Sequence, residues 1–141
     1  MLRPLRIAAY GLKERFGLWD QRLREEVAKK APFLWAHGAS VGEVQLTLRL
    51  LEEFRSHIPW PILLTSMTPQ GLGVARGKVD IALPFPIPLG LPIRTFLRRI
   101  NPRAILIAET ELWPPLLWEA ERRGIPVVLF NARISDGSFK R

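Results

Sequence analysis

Short apolar blocks alternate along this chain with stretches whose apolar residues recur every three or four positions. Phe33–Ala36, Pro61–Thr65, Val79–Leu83, Ala104–Ala108 and Pro126–Phe130 are the blocks. Each is four or five residues long and continuously apolar or nearly so, the pattern of strands covered on both faces. Helical periodicity fills residues 41–57, about 92–100 and Pro114–Arg123, the last closed by Gly124. A further helix starts at Thr68-Pro69, with Thr68 as N-cap and Pro69 at the first helical position. Pro84, Pro86, Pro88, Gly90 and Pro92 mark residues 84–92 as a loop, because proline fits neither a central strand nor a helix interior. Upstream, Leu2, Leu5, Ala9, Leu12 and Phe16 form one apolar stripe over residues 2–17, and a second helix covers 19–29.

Repeated strand–helix alternation predicts an α/β, Rossmann-like parallel sheet with helices on both faces. The chain divides into a basic amphipathic helical segment, residues 1–30, and a Rossmann-like domain, residues 31–141. Ligands of such sheets bind beyond the carboxyl ends of the strands, near the point where the strand order reverses. Three polar clusters follow predicted strand ends: His37–Glu43, Glu109–Glu111 and Asn131–Arg133. Their convergence on one edge is the main sequence evidence for a site.

Charge narrows the partners. Lys and Arg number 21 against 13 Asp and Glu, a net charge of +8. The first thirty residues carry eight basic and four acidic side chains, a local +4. This balance suits an anionic partner or a merely soluble surface. The stripe over residues 2–17 either lies on an anionic membrane or packs on its own protein. No run approaches the roughly 18 apolar residues of a membrane-spanning helix, and the N-terminal apolar core is too short for a signal peptide. A cytoplasmic location, in contact with the inner face of a membrane, is expected. The chain has no cysteine, which excludes disulfides, thiolate metal sites and a cysteine nucleophile. Nucleic acid is not an expected partner, since Trp35, Trp113 and Trp118 sit in apolar contexts that suit packing.

The candidate chemistry is carboxylate chemistry. Gly38-Ala39-Ser40-Val41-Gly42 joins a strand to a helix with small residues, letting backbone amides face a ligand. It is not the G-x-G-x-x-G of dinucleotide sites, and no G-x-x-x-x-G-K-[ST] loop occurs. Glu43, in the first turn of that helix, reads either as a partner of the helix dipole or as a general base. Glu111 reads as a helix cap or as a site residue. Glu109 ends an apolar strand and needs a partner, for which Arg133 is the candidate. His37 and His57 form no metal-ligand spacing with these glutamates, so no metal is expected.

At these residues the chain resembles a known family. His37-Gly38-Ala39-Ser40-Val41-Gly42-Glu43-Val44 resembles the H-[AG]-[AV]-S-V-G-E-V signature of bacterial 3-deoxy-D-manno-octulosonic acid (Kdo) transferases. Thr65–Gly71 resembles the family's T-x-x-T-x-x-G segment, Glu109–Pro114 its E-T-E-L-W-P motif, and Asn131–Ser135 its N-A-R-[LI]-S. The resemblance covers about residues 33–138. It implies the N-terminal domain of a GT-B glycosyltransferase, two Rossmann-like domains with the active site between them. It implies inverting transfer of Kdo from CMP-Kdo to a lipid A precursor at the inner membrane, with no cofactor or metal. Glu43 would be the general base; His37, Ser40, Gly42, Thr68, Glu109, Glu111 and Arg133 would line the acceptor side. The CMP-binding C-terminal domain lies outside these 141 residues, so the chain alone is expected to be inactive. Pro86 departs from the family pattern, standing where an aspartate is usual. A non-catalytic module that binds anionic lipid is the alternative reading.

Overall fold

The computed structural model describes residues 11–108 and 113–130. Five strands form one sheet: β1 (Leu34–His37), β2 (Ile62–Ser66), β3 (Ile81–Pro84), β4 (Ala104–Ala108) and β5 (Val127–Phe130). Their order is β3-β2-β1-β4-β5 and every pairing is parallel, as the alternation predicts. The helices are α1 (Leu12–Arg15), α2 (Gln21–Lys30), α3 (Val41–Phe54), α4 (Pro69–Ala75), α5 (Gly90–Ile100) and α6 (Pro114–Arg122). A single turn of 3₁₀ helix, Arg55–His57, ends the α3 region and leaves His57 exposed.

Side-chain alternation along the strands divides the core into two layers. Trp35, Leu63, Leu83, Ile105 and Ile107 point to one face, under α2, α5 and α6. Leu34, Ala36, Ile62 and Leu64 point to the other, under α3 and α4. The larger layer is aromatic. Trp35 is fully buried, lies 4.7 Å from Phe96 between ring centroids, and donates its indole N–H to Thr65 Oγ1 at 2.9 Å. That bond satisfies the one polar atom Trp35 carries into the core. Coverage thins at β5, an edge strand whose Val128 is half exposed on the α3 side.

The N-terminal segment, over its described residues, belongs to the same core. Val27 of α2 and Trp19 are buried, Trp19 edge-on to Phe96 at 5.8 Å. Asp20 caps α2, accepting from Leu23 N–H at 2.8 Å. Arg15 of α1 donates Nε–H to Phe85 O at 2.8 Å, while its own carbonyl accepts from Ile87 N–H at 2.9 Å.

Two expectations are corrected. The proline-rich loop is shorter than predicted, because α5 begins at Gly90 and holds Pro92 in its first turn. The first amides of a helix have no intrahelical acceptor, so a proline there removes no hydrogen bond. Trp118, expected to pack, is exposed. Leu116 and Ala120, one turn apart, take the buried face of α6 and turn Trp118 outward.

Candidate active site

Five parallel strands present one carboxyl edge. From β1 the chain passes through α3 to β2 on one side; from β4 it passes through α6 to β5 on the other. The order therefore reverses between β1 and β4, which are paired with His37 opposite Ile107. This is the crevice where ligands of such sheets sit. The loop after β1 carries Gly38, Ala39 and Ser40 into α3 at this point.

Glu43 stands in the first turn of α3, half-buried. Ser40 is the N-cap, its Oγ accepting from Glu43 N–H at 3.4 Å. The Glu43 carboxylate reaches back, Oε2 accepting from Ala39 N–H at 2.7 Å. This reciprocal arrangement is close to a capping box. It fixes the carboxylate over the β1–α3 loop, the contact that the capping reading of Glu43 calls for. Gly38 makes that geometry possible: a Cβ there would meet the main chain of Glu43 and Val44 at 2.8–3.1 Å. Gly42, by contrast, is exposed with nothing within 4 Å of a built Cβ, leaving open space beside Glu43 along the helix.

The β2 end contributes hydroxyls. Ser66 closes β2, is buried, and donates Oγ–H to Ala39 O at 3.5 Å, tying the two loops together. Thr68 is the N-cap of α4, accepting from Gly71 N–H at 3.0 Å. Gly71 is pressed against Ser66 Oγ, which leaves no room for a larger residue. Sequence reasoning singled out Ser40 and Thr68 but missed Ser66; its only signal was its place at the end of β2.

His37 sits beneath the edge rather than on it, 1% exposed. Its Nδ1 lies 3.1 Å from Thr65 O and 2.8 Å from Thr65 Oγ1. Both contacts fall on Nδ1, which donates to the carbonyl in one tautomer and accepts from the hydroxyl in the other. Among the described residues Nε2 has no hydrogen-bond partner. Burial pushes the His37 pKa from 6.5 to about 3, opposed in part by the bond to Thr65 O. The imidazole packs on Phe85 at 4.3 Å and Trp113 at 5.4 Å, and those two rings are 4.5 Å apart. This aromatic floor joins the ends of β1 and β3 to the start of α6.

Glu109, Glu111 and Arg133, and with them the proposed Glu109–Arg133 pairing, lie outside the described residues. Among the described residues no three His, Asp or Glu side chains group as a metal site. No described helix is long and apolar enough to cross a membrane.

Comparison with known proteins gives the family. A family model described as 3-deoxy-D-manno-octulosonic-acid transferase (kdotransferase) matches residues 10–141. A 3-deoxy-D-manno-octulosonic acid transferase of Chlamydia pneumoniae is 34% identical over 138 residues, covering 92% of this chain and 30% of that protein. The enzyme of that name from Haemophilus influenzae is 35% identical over 154 residues, 99% of this chain and 35% of its own length. A probable mitochondrial one from Arabidopsis thaliana is 33% identical over 136 residues, 91% of this chain and 30% of its own. The chain thus spans about a third of the length of these relatives. With the matching family model reaching from the start of the described fold through the last residue, the chain belongs to the Kdo transferase family.

Proposed function

We propose that this chain is the acceptor-side half of a glycosyltransferase that moves Kdo from CMP-Kdo to a lipid A precursor, with inversion at the anomeric carbon. The observation that carries the reading is the position of Glu43, held by Ala39 N–H at the switch point of a parallel sheet. The Glu43 carboxylate takes the proton of an acceptor hydroxyl. The freed oxygen attacks the anomeric carbon from the face opposite CMP, and the bond from that carbon to the CMP phosphate breaks, releasing CMP. A base performs this step from hydrogen-bond distance, so a tethered carboxylate at the cleft mouth is the needed element.

Ser40, Gly42 and Thr68 flank that position on the β1 and β2 side, with Glu109, Glu111 and Arg133 assigned to the same cleft. His37 supports the floor from below. The donor is assigned to a second Rossmann-like half, and the reaction as proposed uses no cofactor or metal. The enzyme is placed at the cytoplasmic face of the inner membrane, bound peripherally.

The test joins this chain to a donor-binding half and supplies CMP-Kdo with the lipid A precursor. The expected result is release of CMP with Kdo attached to the lipid in the inverted anomeric configuration. Retention of configuration, or transfer to water alone, would count against the reading.

A further inference from the structure

Ala39 is the residue through which the β1–α3 loop holds the Glu43 carboxylate. Its N–H donates to Glu43 Oε2 at 2.7 Å, and its carbonyl oxygen accepts from Ser66 Oγ at 3.5 Å. Both main-chain polar groups of Ala39 are thus committed, one to the carboxylate and one to β2. Gly38, the residue before it, donates N–H to Thr65 O at 3.1 Å. The loop is therefore moored on the last two residues of β2, and Ser66 supplies the side-chain part of that mooring.

Ser66 is held in place for this contact. It is fully buried, and its main-chain carbonyl accepts from Phe85 N–H at 3.1 Å. Among the described residues Ala39 O is the one hydrogen-bond partner of its hydroxyl. A buried hydroxyl without a partner is costly, so this bond, although long, is the one that satisfies it. The space for the hydroxyl comes from α4. A Cβ on Gly71 would overlap Ser66 Oγ and lie 3.0 Å from Ser66 Cβ. An alanine at 66 would serve β2 equally well. The hydroxyl, and the glycine that clears its place, answer to the loop rather than to the sheet.

The geometry points to Ser66 as a positioning residue for the transfer reaction, acting on Glu43 through Ala39. The inference rests on the reading of Glu43 as the base and names the residue that keeps it aimed. Ser66 touches no reacting atom. Its hydroxyl restrains the Ala39 carbonyl, the Ala39 N–H stays directed at Oε2, and the carboxylate stays in one place as an acceptor hydroxyl approaches. A reacting group displaced by about 1 Å loses much of its rate advantage.

Two substitutions test this. Ser66→Ala removes the hydroxyl, and Gly71→Ala keeps it but pushes it off Ala39. In the 141-residue chain each should raise the hydrogen-exchange rate of the Ala39 amide at least about five-fold, with the sheet amides of Leu64 and Ile107 unchanged, because only a local opening is eased. In the enzyme formed by joining the chain to a donor-binding half, each should lower kcat about ten-fold with KM for CMP-Kdo unchanged. In the Glu43→Gln background the same substitutions should cost nothing more, since no base is left to aim. Equal losses in both backgrounds would make Ser66 a support of the fold or of acceptor binding, and overturn the inference. So would parental Ala39 exchange in Ser66→Ala, or parental kcat in both variants. Parental turnover in Glu43→Gln removes the base reading itself, and the exchange rates then still decide whether Ser66 holds Ala39.

Discussion

Exchanging Glu43 for glutamine is expected to slow Kdo transfer by about 10²–10⁴-fold, the span a positioned general base supplies. The two functions of this side chain separate in that variant. An amide oxygen still accepts from Ala39 N–H, so the cap seen at 2.7 Å survives. The amide cannot take up the acceptor's proton. Unfolding midpoints should therefore stay near the parent's while single-turnover transfer collapses, and affinity for CMP-Kdo should hold because the donor is assigned to the other half. Glu43→Ala loses the Ala39 bond as well, and a small loss of stability, about 1 kcal/mol, should accompany the same loss of rate. Unchanged turnover in both variants would remove Glu43 from the chemistry.

Acid should weaken the chain through His37. The unfolded chain binds a proton at His37 near pH 6.5, whereas the buried native imidazole resists protonation until about pH 3. Below the unfolded value the unfolded state holds the extra proton, so its free energy falls relative to the native state. The stability that neutral His37 confers is complete above pH 6.5 and is lost as pH falls towards 3. The steepest loss from this one group is about 1.4 kcal/mol per pH unit. Denaturant midpoints measured from about pH 7 down to about pH 4 should fall more steeply for the parent than for His37→Gln, which carries no titrating group there. Parallel curves would mean that His37 is already protonated or solvated in the folded chain.

The sheet was legible from the strand blocks because each is nearly continuous in apolar residues, and both faces of the inner strands are covered. Ala104–Ala108 matches β4 residue for residue, and Thr68-Pro69 begins α4 as its capping chemistry requires. The placing of Gly38–Glu43 at the carboxyl edge followed from connectivity alone. What escaped was the direction of individual side chains. His37 was expected in the cleft, but as the last residue of β1 it points into the aromatic layer with Trp35, two positions before it. In Leu116-Leu117-Trp118 three consecutive apolar residues cannot all face the core of a helix, and nothing local ranks them. Leu116 is chosen by its pairing with Ala120. The start of α5 was hidden because Pro92 reads as a breaker unless it falls in the first turn, where it costs nothing.

An isotope-labelled sample of this chain, titrated with a short-chain analogue of the lipid A precursor while backbone amide resonances are followed, addresses the acceptor edge directly. The largest shifts should fall on Gly38 to Val44 and on Trp113, around the crevice between β1 and β4. If those amides stay still while the ligand moves residues of the groove between α3 and α4, such as Arg49, Arg55 and Lys78, the acceptor does not bind at the carboxyl edge and Glu43 is not its base.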